Sequence, residues 1–143
     1  MKPFSLLLGS ILSVAVIAVL LLTFGVKPGG PSEQGAALYN LSTETTMKGT
    51  VGAVEDYTCP VSENEIGRHL RLQTATGMME IHLAPARVMR SQKFTFSPGD
   101  QIEVLGSKVK IQGQASIIAR EVTRGNESFF IRDREGKLLL IQQ

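Results

Sequence analysis

The chain has 143 residues, 43% of them hydrophobic, with 15 Lys and Arg against 13 Asp and Glu and a formal net charge of +2. So small a charge, with no block of one sign after Leu38, excludes a strong electrostatic footprint for nucleic acid or anionic lipid. The absence of Trp, with only 2 Tyr, leaves few surfaces for stacking bases or sugars, and the single cysteine excludes an internal disulfide.

The first element is apolar. Phe4 to Phe24 reads FSLLLGSILSVAVIAVLLLTF, about 21 residues without a charge, which as a helix spans a hydrocarbon core of about 30 Å. It is longer than a usual cleaved signal, and Gly25-Val26-Lys27-Pro28 follows without a good cleavage site or lipobox cysteine, so the expectation is an uncleaved signal-anchor. Lys2 precedes it, which places residues 1–3 in the cytoplasm, 4–24 across the inner membrane as a single pass, and the remainder in the periplasm or its equivalent. Residues 25–44, with Pro28-Gly29-Gly30-Pro31, read as a flexible linker.

Residues 45–143 show short strands at period two. Met47, Gly49, Val51 and Ala53 share one face of a first strand, and Gly49 and Gly52 allow it to bend. Leu70 and Leu72 alternate with His69, Arg71 and Gln73, the chain turns at Thr76-Gly77, and Met79, Ile81 and Leu83 alternate with Met78, Glu80 and His82. A hairpin centred on that turn sets Leu72 opposite Ile81, Leu70 opposite Leu83 and Arg71 opposite His82. Pro85 to Arg90 makes a turn or two of helix with Pro85 at its first position. Two more strands contain Ile102 with Val104 to Ile111, and Ser116 to Val122, with Gly106 as a bend and Gln112-Gly113 as a turn. A last hairpin carries Phe129 and Ile131 before Asp133-Arg134-Glu135-Gly136, and Leu138 and Leu140 after it.

The order of strands, with a helix or loop between the third and fourth, resembles an OB-fold over roughly Met47 to Thr123. The motif Pro98-Gly99-Asp100-Gln101-Ile102-Glu103-Val104-Leu105-Gly106 followed by Ile117-Ile118-Ala119-Arg120-Glu121-Val122 carries the resemblance. Among exported versions it is similar to small periplasmic OB-fold proteins linked to stress tolerance and to the MamS/MamX-type domain of magnetosome proteins. The architecture also resembles the haem chaperone of cytochrome c maturation. That family needs a histidine and a nearby tyrosine just after the last barrel strand, where this chain has Val122-Thr123-Arg124-Gly125-Asn126-Glu127 and neither. The expected fold is therefore all-β: a five-stranded OB-fold-like barrel with a C-terminal β-hairpin, after one transmembrane helix.

The connection Asp56 to Gly67 is the first candidate binding surface, with Tyr57, Cys59, Pro60, Glu63 and Glu65, and Arg71 beside it. Cys59 is either a small buried residue, a ligand, or a partner in an intermolecular disulfide. His69 and His82, on one face of the hairpin and diagonal to each other at about 7–8 Å, form with Cys59 a possible Cys-His-His metal set; surface histidines beside Arg71 and Glu80 are the plain alternative. Asp133 and Glu135 read as solvated turn residues. No catalytic set and no cofactor motif is present, so the expectation is a non-enzymatic envelope binding module for a protein, peptide or small ligand. The alternatives are a metal-handling protein using Cys59, His69 and His82, and, less favoured, a nucleic-acid-binding OB-fold.

Overall fold

The computed structural model describes residues 33–62 and 64–139. Six strands follow one another: β1 (Glu44–Thr58), β2 (Ile66–Thr74), β3 (Gly77–Pro85), β4 (Gln101–Ile111), β5 (Gln114–Arg124) and β6 (Glu127–Phe130). Two short helices accompany them, α1 (Glu33–Leu38) before β1 and α2 (Ala86–Arg90) after β3, with 3-10 turns at Leu41–Thr43 and Pro60–Ser62. The strands form one all-β sheet in the order β3-β2-β1-β4-β5-β6, antiparallel between neighbours. A further, parallel pairing sets Glu80–His82 of β3 against Ser116–Ile118 of β5, so β1 to β5 pair in a closed circuit.

The length of β1 makes the circuit possible. Its first half, Glu44–Thr50, pairs with β4, and its second half, from Thr50 to Thr58, pairs with β2. Gly52 lies in the bulge between Val51 and Ala53, which bends the strand and moves the inward face by one residue. Val54, not Ala53, consequently packs on the core after Val51, a correction to the face expected from strict alternation. A second bulge lies at Gly106, where a Cβ would collide with the Ile118 carbonyl oxygen and the Ile117 side chain, so glycine alone allows β4 to approach β5 this closely.

The β2–β3 hairpin has the expected inward residues in a different register. Leu70 is opposite Ile81, Leu72 opposite Met79, Arg71 opposite Glu80, and His69 opposite His82. The loop is Ala75-Thr76, with Thr74 paired to Gly77 at φ 126°, so each partner lies two positions from the expected one. A shift of two preserves which side chains point inward, which is why alternation alone could not detect it. Leu70, Leu72, Ile81 and Leu83 meet Val104, Ile117, Val122 and Ile131 in the main core, each buried side chain contributing about 1.5–3 kcal/mol. The Gln112-Gly113 turn has φ of 50° and 81°, the left-handed pair of a tight hairpin.

Three other expectations change. Pro85 precedes α2 as its N-cap rather than occupying its first position. Among the described residues the last hairpin is reduced: β6 folds back on β5, and across the turn after Asp133 the one bridge is Arg132–Leu138. Leu140 lies outside the described residues. The end of the expected linker is docked, since the Asn40 N–H donates to Ser107 Oγ and the Tyr39 hydroxyl to Glu44, whose carboxylate also accepts from Arg120. The expected anchor, residues 4–24, lies outside the described residues. Among those described, no helix is long and apolar enough to cross a membrane.

Candidate metal centre

The end of β1, the start of β2 and the end of β3 bring three ligand-bearing side chains together. Cys59 directly follows β1, His69 lies on β2, and His82 faces it from β3. One donor atom from each lies within 4.8 Å of the other two. Cys59 Sγ is 3.1 Å from His82 Nδ1, and the two imidazoles meet edge to face with centroids 4.6 Å apart. Donors around a metal with bonds of about 2.0–2.3 Å stand about 3.3–3.8 Å from one another, so small side-chain movements suffice to enclose an ion.

Both histidines belong to the outer face of the hairpin, opposite to Leu70 and Ile81, yet they are 1% and 4% exposed. A second, smaller apolar cluster covers that face: Cys59, Val61 and Ile118, with Tyr39, Val109 and Ile111 packed against it. The connection closes over it through the Cys59 N–H, which donates to the Glu65 carbonyl, and the Cys59 carbonyl, which accepts from Ser62 and Asn64. Gly67 provides the space. A Cβ there would stand 3.0 Å from Cys59 Cβ, 3.1 Å from His69 Cε1 and 2.9 Å from Ser62 Oγ. Tyr57 stacks on His69 at 3.8 Å between centroids and 10° between planes.

Burial sets the electrostatics. It lowers His69 to about 4 against the weaker opposing pull of Asp56 and Glu55, and lowers His82 to about 3, with His69 and Arg132 adding to the effect. Both rings are thus neutral at pH 7, the state in which a ring nitrogen can offer a lone pair to a metal. Burial pushes the Cys59 thiol up, opposed by the backbone N–H groups of Val61 and Ser62 and by Arg132. Among the described residues, His69 Nδ1 and His82 Nε2 are buried without a hydrogen-bond partner. Such atoms are costly to leave unpaired, and a ligand or a second contact would satisfy them.

The expected loop set divides. Tyr57 and Cys59 belong to the cluster, and Pro60 opens the 3-10 turn above it. Asp56 to Thr58 are strand rather than loop, so the connection is shorter than expected. Glu65 is engaged with Arg87 at 3.0 Å and Arg71 with Glu55 at 3.3 Å, both at the surface. Glu63 lies outside the described residues. The diagonal placement of the histidines is corrected to a direct pairing, and their expected surface exposure to burial.

Two residues escaped the sequence reading. The Glu80 carboxylate is 3.8 Å from His82 Nε2, on the far side of the ring from Cys59, the usual place of a group that orients a metal-binding imidazole. Arg132 is 3% exposed and donates to the carbonyl oxygen of Leu83, the residue after His82. Nothing in their spacing marks either one. A polar groove lined by Lys48, Thr50, Gln101, Glu103 and Thr123 shares no residue with the cluster and contains none of the unpaired buried polar atoms.

The family model of the MamS/MamX magnetosome proteins matches residues 43–129, a span from the turn before β1 into β6 that includes all three ligand-bearing residues. No curated protein matches the chain.

Proposed function

We propose, from the premise that the chain belongs to the MamS/MamX magnetosome protein family, that it is a non-enzymatic metal-binding module whose ligands are Cys59, His69 and His82. The observation that carries this reading is the convergence, within 4.8 Å, of a buried thiol and two buried imidazoles. Thiolate and imidazole together suit zinc, copper or iron rather than magnesium or calcium. The circuit β1-β2-β3-β5-β4-β1, with α2 between β3 and β4, supports an OB-fold barrel as the scaffold. The apolar stretch 4–24 supports a single-pass anchor in the inner membrane, with the module outside the cytoplasm. Family membership suggests a magnetosome-related setting.

The test is the metal content of the purified protein. One equivalent of a transition metal, lost in Cys59→Ala and reduced in His82→Ala, supports the reading, and a metal-free protein that acquires none on titration removes it. A protein or peptide partner is the second reading, supported by Tyr57 and Ile66, 39% and 48% exposed on adjacent strands beside the cluster.

A further inference from the structure

Among the described residues Arg132 is a buried cation without a counter-ion. Its Nη1 donates to the carbonyl oxygens of Leu83 and Ala119, and among the described residues its Nε has no partner and it forms no ion pair. Leu83 and Ala119 directly follow His82 and Ile118, which are partners in the parallel β3–β5 pairing, so the guanidinium is fixed against the strand that presents His82. A charge held this way is expensive to join with a second one of the same sign, because neither is solvated.

Resting on the metal-site reading, we propose that the Cys59–His69–His82 centre selects a soft monovalent cation, copper(I), over divalent metals. When copper(I) binds, the Cys59 S–H bond breaks, its proton leaves to solvent, a Cu–S bond forms and two neutral imidazoles donate lone pairs. No electron is transferred and the charge of the site does not change. A divalent ion entering by the same exchange leaves one additional positive charge beside Arg132. Donor number points the same way: among the described residues the cluster offers three ligands, a set that satisfies copper(I), whereas a structural zinc ion takes four. Thiolate softness adds to the preference.

The chain purified whole and without oxygen is titrated with copper(I) against bathocuproine disulfonate, and with zinc(II) and iron(II) against chromophoric chelators. The expected result is one copper(I) per chain, lost in Cys59→Ala and retained in a tenfold excess of either divalent ion. Arg132→Gln should lower the copper(I)-over-zinc(II) preference by at least about tenfold, the effect of one unit charge about 12 Å away at an effective dielectric of about 20, a nearer charge having a larger one. Glu80→Gln, which removes a negative charge on the opposite side of His82, should raise it. The second variant decides the matter if the first does not fold. Binding of zinc(II) or iron(II) as tightly as copper(I), or a preference indifferent to the charge at position 80, overturns copper(I) selection while leaving the metal site standing. Failure of every metal to bind overturns the site itself.

Discussion

The Cys59 sulfur stands 3.1 Å from Nδ1 of His82, a residue 23 positions away, and both are buried. Their contact depends on a close passage of backbone at Gly67, where a side chain would press on Cys59, Ser62 and His69. Gly67→Ala should therefore destabilise the protein by about 1–3 kcal/mol, the cost of overpacking, and weaken metal binding more than a surface substitution does. Thermal melts and chelator competition check this together. Unchanged values in both would mean that the passage has slack that the contacts do not suggest.

Tyr57 is a different case because its ring is partly open to solvent while it stacks on His69. Tyr57→Ala should lower stability by only about 0.5–1.5 kcal/mol. Its larger effect should be kinetic: with the ring gone, His69 is open to solvent, and metal transfer to an external chelator should accelerate. A stopped-flow transfer rate equal to that of the parent would show that Tyr57 does not shield the site.

Stability of the metal-free protein should fall with acid. The unfolded chain protonates its histidines near pH 6.5, whereas folded His69 and His82 do so only near about 4 and about 3. Between those limits the unfolded state binds more protons, so stability declines as pH drops from about 6.5, by up to about 1.4 kcal/mol per pH unit for each ring. Above pH 6.5 this contribution is constant. Urea titrations from pH 7.5 to 4.5 measure the slope, and a His69→Gln/His82→Gln double variant should flatten it.

The core prediction contrasts two positions on β3. Ile81 is fully buried, and Ile81→Asp places an unpaired carboxylate among Leu70, Val104 and Ile117, a loss of more than about 3 kcal/mol. Met78 is 55% exposed, and Met78→Lys should stay within about 0.5 kcal/mol. Similar melting temperatures for the two would contradict the assignment of the inward face of β3.

Alternation along β2 and β3 made the inward set legible, since Leu70, Leu72, Ile81 and Leu83 all lie in the core. Local spacing could not distinguish the Ala75-Thr76 loop from one centred on Thr76-Gly77, because both keep the same faces inward. Cys59, His69 and His82 could be named from residue type and hairpin face. The burial of Cys59 was among the readings its residue type offered, but that of the two histidines was not, because it depends on Ile118, Tyr39 and the 3-10 turn, which a periodic pattern within one hairpin does not contain. Arg132 was further out of reach: its contact with the Leu83 carbonyl joins residues 49 apart through a segment with no strand partner beyond one bridge.

The lead-in to the domain is placed unusually. Helix α1 packs against the 3-10 turn Pro60–Ser62, and Tyr39, one residue beyond the helix, joins the apolar cluster around Cys59. Helix α1 and Tyr39 thus form part of the wall of the candidate metal centre. Thermodynamic coupling between two such neighbours is reciprocal. In the proposed metal-binding module, an ion that stiffened the connection after Cys59 would also hold α1 more firmly in place, and displacement of α1 from the turn would lower affinity for the ion by the same factor. Loading of the site and docking of α1 would then be two readings of one equilibrium.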